Sequence, residues 1–277
     1  MQANPNPATP QRAQTDLART RAIVRFNSVM FHGLAAASLM ESAAPLHAER
    51  LGAAFGAQPD TRLWLEQVWV PQRAELARRL REYVEATWPE FDWSTGCAEL
   101  LQSCRARAGI VRRRPAALAA LRLCVWETQA AMFYRGLARA ADEAGLRALA
   151  GEAAAAHASF FEYFRGAHEH CKRRERVGLA ATWRTLPAVC RSAREFHIRA
   201  AFEVLAGNWN GPRTVPELTY GEFVERTVQL VRRHAGIGRL EQLLFRPWLR
   251  AERVVPASSS MPASPPARQS LPAPQAA

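Results

Sequence analysis

Three ionisable side chains interrupt otherwise apolar stretches of this 277-residue sequence. Glu41 lies in AAASLMESAAPL, Glu127 in LCVWETQAAMFY and His157 in GEAAAAHASFFEYF. Carboxylates and imidazoles are metal ligands, so together they could form a metal site. Taken singly, each has an ordinary explanation. A histidine on an apolar helix face is more often a hydrogen-bonded core residue, and a glutamate within a helix often reaches solvent.

The order of these residues along the chain indicates a shared site. In ferritin-like bundles, two helices each contribute a Glu and two others each contribute Glu-x-x-His, so that six ligands converge on two irons. The carboxylates bridge and neutralise the metals, and the imidazoles complete the coordination. Glu127 and Tyr134, followed on the next predicted helix by His157, have the form of the second half of such a site.

Four stretches carry a resemblance to a known family. They are MESAAP (40–45), WVPQRAELARRLREY (69–83), WETQA (126–130) and AAAAH (153–157). In order and separation they resemble the metal-ligand segments of the soluble acyl-acyl-carrier-protein desaturases, or type 2 fatty acid desaturases. The resemblance places Glu41, Glu127 and His157 at ligand positions. It implies an all-α, ferritin-like helical bundle with additional helices, whose two irons use dioxygen and electrons from ferredoxin to introduce a double bond into an acyl chain.

The sequence departs from that family at half of the ligand positions. Arg73 and Leu76 stand where the second ligand helix of the family has a Glu and a His, and Ala154 stands where the fourth has a Glu. An arginine is permanently positive and should repel a metal ion. The resemblance therefore implies iron as the cofactor, but in a degenerate di-iron site.

Arg73 has a predicted role in such a site. Loss of the irons alone would leave Glu41 and Glu127 as unpaired buried charges, which is very costly in free energy. An arginine could replace the charge of the metal by pairing with these carboxylates. We therefore predict that Arg73 contacts Glu41 or Glu127 in the core. The alternative is that the register is wrong by one turn and Arg73 is a surface residue of an amphipathic helix.

The elements that must position these residues are predicted to be long helices. Ala, Leu, Arg and Glu dominate residues 18–252, the predicted ferritin-like desaturase-type domain. The proline-rich residues 1–17 and 253–277 are predicted to be disordered. The predicted helices lie near 18–52, 60–87, 96–109, 116–144, 146–174, 182–208 and 218–247. The tryptophans, including Trp183, are expected to pack in the core.

Composition restricts the location and the partners. The formal net charge is +12, and all but one of the 37 basic residues are arginines. No window is apolar enough for a transmembrane helix and the start lacks an export signal, so a cytoplasmic protein is expected. The five cysteines include no CxxC pair and are expected to be free thiols. The basic surface suits an acidic partner such as acyl carrier protein.

Three functions stay open at this point. The first is an acyl-acyl-carrier-protein desaturase-like protein of fatty acid metabolism, acting with a ferredoxin-type donor if the site is active. The second is a metal-free pseudoenzyme that binds acyl chains or acyl carrier protein. The third is a basic helical nucleic-acid-binding protein, which is disfavoured because the arginines are spread among acids. The family resemblance also implies a homodimer.

Overall fold

A computed structural model describes residues 24–106, 115–192, 198–211 and 218–235 of the chain. These residues are helical and contain no β-strand beyond an isolated bridge between Phe91 and Trp209. The predicted all-α fold class is therefore confirmed.

The chain divides into two compact units, residues 1–238 and 239–277. The second unit lies wholly outside the described residues. The segments predicted to be disordered, 1–17 and 253–277, lie outside them as well.

The described residues contain the following helices in chain order. They are α1 (Ser28–Ser42), α2 (Ala44–Ala54), α3 (Pro59–Trp64), α4 (Val70–Thr87), α5 (Trp93–Ala106), α6 (Ala116–Ala140), α7 (Ala144–Glu175), α8 (Leu179–Ser192), α9 (Arg199–Gly207) and α10 (Tyr220–His234). A π-helical segment, Leu65–Trp69, joins α3 to α4.

One of the predicted helices is divided in the structure. The prediction of one helix over 18–52 is wrong at Ala43, where α1 ends and α2 begins with Pro45 in its first turn. Proline has no amide hydrogen and is tolerated in a first turn but not in a helix interior. The predicted helix over 182–208 is represented by α8, which ends at Ser192, and α9, which begins at Arg199, while residues 193–197 lie outside the described residues.

The core is built from paired helices. α1 packs on α4 and α6 packs on α7, while α4 also contacts α7. The side chains that fill these contacts are fully buried leucine, valine and phenylalanine residues, among them Leu34, Leu39, Leu80, Val84 and Phe164. Burial of one such side chain contributes about 1.5–3 kcal/mol, so these contacts dominate the positioning of the helices.

Several expectations from composition can be compared with the structure. No helix in the described stretches is long and apolar enough to span a membrane. The cysteines whose side chains are described, Cys97, Cys104, Cys124 and Cys171, are buried and free. Trp183 is 69% exposed, so the expectation that it packs in the core is wrong.

Candidate functional site: a buried ion-pair cluster

Four helices each direct one ionisable side chain toward a common point in the core. Glu41 comes from α1, Arg73 from α4, Glu127 from α6 and His157 from α7. Glu41, Glu127 and His157 are 3%, 1% and 0% exposed, and the Arg73 side chain is 11% exposed. The structure therefore brings together the three residues predicted to be ligands, with Arg73 among them. We call these four residues the core cluster.

Arg73 pairs with both carboxylates of the core cluster. Its Nε donates a hydrogen bond of 2.6 Å to Oε2 of Glu41, and its Nη1 lies 3.8 Å from Oε1 of Glu127. The prediction that Arg73 contacts these acids is confirmed. The alternative, a surface arginine displaced by one turn, is wrong.

His157 lies between the same two acids. Its Nδ1 is 2.5 Å from Oε2 of Glu127, and its Nε2 is 3.1 Å from Oε1 of Glu41. Carboxylate oxygens only accept hydrogen bonds, so an imidazolium with a proton on each nitrogen satisfies both contacts. Burial alone would lower the pKa of His157, but Glu41 and Glu127 raise it to about 9.

The carboxylate of Glu41 is held in its charged form. Burial alone would raise its pKa, but the charges and hydrogen bonds of Arg73 and His157 lower it to about 2. With Glu127 as a carboxylate, the core cluster contains two carboxylates, one guanidinium and one imidazolium. Their charges cancel, which is the condition under which buried ions persist.

Two aromatic side chains complete the hydrogen bonding of the carboxylates. The indole Nε1 of Trp69 donates to Oε1 of Glu127 over 3.1 Å, and the hydroxyl of Tyr134 donates to Oε1 of Glu41 over 3.2 Å. Each carboxylate oxygen then faces at least one donor. Burial, followed by the charge of Glu41, raises the pKa of Tyr134 well above its usual value.

The same aromatic rings also pack on the cations. The guanidinium carbon of Arg73 lies 4.7 Å from the centre of the Trp69 ring, a cation–π distance. The Tyr134 ring stacks on the imidazole of His157 with centroids 5.3 Å apart. Sequence reasoning did not assign either contact. The available signal was spacing, because Trp69 precedes Arg73 by one helical turn and Tyr134 follows Glu127 by two.

Trp69 is placed by the π-helical segment. Pro71 has no amide hydrogen to offer the carbonyl of Gln67, so the regular α-helical pattern cannot run through this point. The amide of Val70 instead bonds to the carbonyl of Leu65, five residues back. π-helical turns are rare in proteins, and those that do occur often lie at functional sites. Here the turn ends at Trp69, one turn before Arg73.

The other substituted ligand positions supply no donor atoms. Leu76 on α4 and Ala154 on α7 are each 7% exposed and belong to the apolar core. The sequence-based interpretation that these positions have lost their ligands is consistent with their apolar surroundings. A metal bound here would depend on Glu41, Glu127 and His157 alone.

The residues present do not fit a di-iron centre. Both nitrogens of His157 face carboxylates, so neither is free to bind a metal. The guanidinium of Arg73 adds a positive charge beside the carboxylates of Glu41 and Glu127. Within 24–106, 115–192, 198–211 and 218–235, no group of three or more His, Cys, Asp or Glu side chains is arranged to hold a metal ion. The arrangement is a closed ion-pair network.

An apolar crevice lies between α1, α6 and α10. It contains about 210 Å³ of empty space, part of it open to solvent, and is too narrow for a water molecule as it stands. Its lining is Val29, Met30, Gly33, Leu34, Phe133, Leu137, Thr227 and Leu230. The Thr227 hydroxyl is buried without a hydrogen-bond partner in the described part of the chain. An unpaired buried hydroxyl is costly unless a ligand or water completes it.

Comparison with models of protein families, with curated proteins and with solved structures found no match. The site is therefore interpreted from its own geometry. At neutral pH neither His157 nor Glu41 is a base suited to proton abstraction, because the pKa of His157 is about 9 and that of Glu41 is about 2. Catalysis by proton abstraction needs a base whose pKa is near the working pH. The geometry of the cluster instead suits a structural role, in which its ion pairs hold four helices together.

Proposed function

We propose that this protein is a metal-free relative of the acyl-acyl-carrier-protein desaturases, which binds an acyl chain or its carrier protein without desaturating it. The observation that carries the proposal is the ion pairing of Arg73 with both Glu41 and Glu127. Arg73 and His157 supply positive charge where the family resemblance implies iron. The cluster thus keeps the charge balance of a metal site while offering no open coordination position.

The proposal includes a ferritin-like bundle. Its support is that four helices contribute one cluster residue each, as the ligands do in ferritin-like carboxylate proteins. The pairing of α1 with α4 and of α6 with α7 agrees with that arrangement. The fold is all-α in any case, and the ferritin-like assignment is part of the proposal.

The apolar crevice is the proposed position of the acyl chain. Its aliphatic and aromatic lining matches a hydrocarbon chain, and the unpaired hydroxyl of Thr227 can bond to a polar atom of the ligand. Because the crevice is narrow, entry of a chain requires α10 to move away from α1 and α6. A helix end or surface helix moves more readily than a central one, since it has fewer buried contacts.

The proposed partner is an acidic acyl carrier protein in the cytoplasm. The net charge of +12 favours electrostatic attraction to an acidic protein. A ferredoxin-type donor is required only for desaturation, so the proposal needs none. A homodimer remains an implication of the family resemblance.

The nucleic-acid alternative receives less support. Many exposed arginines form ion pairs with neighbouring glutamates, as in Arg78 with Glu75 and Arg199 with Glu203. Nucleic-acid binding requires cations that are free to contact phosphates along one face. We therefore do not propose it.

Binding and turnover of an acylated carrier protein test the proposal. Binding is measured by calorimetric titration of the protein with stearoyl-acyl carrier protein and with the unacylated carrier protein. Turnover is measured by incubating the protein with stearoyl-acyl carrier protein, dioxygen and reduced ferredoxin. We expect tighter binding of the acylated form and no unsaturated product by mass spectrometry. A double bond formed above the level of a protein-free control, or equal absence of binding to both carriers, contradicts the proposal.

A matched variant tests the position of the acyl chain. Leu230→Trp fills the crevice from α10, and we expect it to abolish the preference for the acylated carrier. Leu63→Ala changes an exposed leucine on α3, which does not line the crevice, and should leave the preference unchanged. Equal preferences in the wild type and in Leu230→Trp would place the chain elsewhere.

A further inference from the structure

Four arginines lie near the point where α7 ends and α8 begins. Of these two helices, α7 also carries His157 of the core cluster. Arg173, Arg174, Arg176 and Arg184 are exposed. None of them has a carboxylate partner among the residues that the structure describes. Glu175, the acid between them, instead accepts hydrogen bonds from the backbone amides that begin α6, at 2.9 and 3.0 Å. Among the described residues, no ion pair therefore neutralises these four arginines.

An exposed tryptophan directly precedes Arg184 in the sequence. Trp183 is 69% exposed and lies in the second turn of α8. Exposed residues recur at Ala180, Trp183, Arg184 and Pro187, the spacing of a single helix face. The buried Val189 and the contacts of α8 with α6 hold the rest of the helix to the bundle. We call Trp183 and the four arginines the basic corner.

Arg176 has an unusual backbone conformation. It caps α7 with φ 51° and ψ 38°, and it is the single non-glycine residue with positive φ in the described stretches. Glycine is the usual residue here, since a side chain is strained in the left-handed region. Cations near a helix C-terminus are favoured by the helix dipole, which accounts for Arg173 and Arg174. The dipole of α7 does not account for Trp183 or Arg184, which belong to the next helix.

We propose that the basic corner is a docking surface for an acidic helix of a partner protein, with Trp183 as the central apolar contact. Trp and Arg are the residues most enriched among those that dominate binding at protein interfaces. These arginines complement carboxylates, and the exposed face of α8 with Trp183 complements a helix that carries an apolar stripe between acids. The proposal concerns a surface that contains no residue of the core cluster and is independent of metal binding there.

Two other anionic surfaces fit the basic corner less well. A helix that lies in a membrane interface buries a row of large apolar side chains, whereas among the α8 side chains that the structure describes Trp183 is the one large apolar residue that is exposed. A nucleic acid requires a longer stripe of unpaired cations that follows its backbone, and exposed arginines such as Arg165 on α7 are paired with acids.

The test uses a fluorescein-labelled, 18-residue helical peptide that consists of Glu with Leu along one face. Binding of this peptide to the protein is measured by fluorescence anisotropy at several salt concentrations. We expect Trp183→Ala and Arg173→Glu/Arg174→Glu each to weaken binding by about tenfold or more, because central contacts carry most of an interface's affinity. The matched controls are Phe26→Ala, another exposed aromatic residue, and Arg62→Glu/Arg233→Glu, which makes the same change of net charge elsewhere. Both controls should bind like the wild type.

Each other outcome overturns the proposal. These outcomes are no binding by the wild type, equal loss in the controls, or stronger binding to phosphatidylglycerol vesicles or to duplex DNA than to the peptide at the same salt. Circular dichroism verifies that every variant is folded. Because the peptide is not an acyl carrier protein, a failure of the proposed function does not alter this result.

Discussion

Nε of Arg73 donates a 2.6 Å hydrogen bond to Oε2 of Glu41, deep between α4 and α1. Two helices, α2 and α3, and a π-helical turn separate the two residues in sequence, and the side chains of Arg73 and Glu41 are 11% and 4% exposed. Both charges are largely removed from water in this position, so each depends on the other. The stability of the bundle should therefore be sensitive to the cluster in ways that surface ion pairs are not.

Removal of the guanidinium is expected to be strongly destabilising. Arg73→Met retains much of the side-chain volume but leaves Glu41 and Glu127 with a single cation, His157. Breaking a buried pair by removing one partner costs about 3–5 kcal/mol. Urea unfolding followed by circular dichroism measures this change in the free energy of unfolding.

The control for that variant is Arg78→Met on the same helix. Arg78 is 54% exposed and pairs with the exposed Glu75 and Glu82, so solvent screens its interactions. We expect little change in stability. A loss for Arg73→Met no greater than that for Arg78→Met would mean that the pairing is not important to the fold.

The protonation of His157 makes stability depend on pH. The folded pKa is about 9 and the ordinary value is 6.5, so the folded state holds a proton that the unfolded state releases. This contribution is fully present below pH 6.5 and is lost as the pH rises through 9. Thermal unfolding between pH 6 and pH 10 should show a falling Tm over that range.

A variant without the imidazole isolates this effect. His157→Gln keeps hydrogen-bonding capacity but cannot titrate, so its Tm should fall less steeply between pH 6.5 and pH 9. At acidic pH, stability depends on Glu41 instead. The contribution of Glu41 to stability is present above pH 4.5 and is lost as the pH falls toward 2. Parallel profiles for the wild type and His157→Gln above pH 6.5 would contradict the assignment of the proton to His157.

The charged members of the cluster could be predicted from sequence because they are anomalies. A Glu or His inside an apolar helix is visible in the sequence, and so is an arginine at a position where the family resemblance implies an acid. The contacts of Trp69 and Tyr134 with the charged residues were not predicted, because an aromatic residue on an apolar face is indistinguishable from ordinary core packing. Their hydrogen bonds depend on side-chain directions across helices, which no local pattern contains.

The fold was predictable in class and less so in detail. Composition was sufficient for an all-α interpretation, but the break at Ala43 depends on where the proline is accommodated. The exposure of Trp183 was missed for a related reason. Burial of a helix face depends on which neighbours pack against it, and α8 meets α6 with its other side.

Replacement of Arg73 by a small residue is expected to permit metal binding. Arg73→Ala removes the positive charge and opens space beside Glu41, Glu127 and His157, a donor set suited to one Zn²⁺ or Co²⁺ with water. Cobalt titration followed by visible absorption should show one binding site that the wild type lacks. Zinc should also raise the Tm of the variant, because a ligand stabilises the state that it binds.

The matching control removes a ligand from the same background. Arg73→Ala/His157→Ala should show neither the cobalt absorption nor the Tm increase. Equal cobalt binding by this double variant would assign the metal to another part of the chain.

Close packing of α10 against α6 makes Gly136 a sensitive position. A Cβ at Gly136 would lie 3.0 Å from Cδ2 of Leu230 and 3.3 Å from Cα of Val231. Gly136→Ala should destabilise the protein by about 1–3 kcal/mol, the usual cost of overpacking. Gly151 in α7 has nothing within 4 Å of such a Cβ. Gly151→Ala should instead stabilise by about 0.5–1 kcal/mol, and urea unfolding that gave both variants the same sign would contradict this contact.

The metal content of the wild-type protein tests the central claim most directly. The protein is purified from iron-supplemented cells without chelators, and its iron is measured by plasma mass spectrometry. Because Arg73 and His157 already neutralise Glu41 and Glu127, we predict an iron content close to zero per chain. A content of about two irons per chain, the stoichiometry of a ferritin-like carboxylate site, would contradict the account.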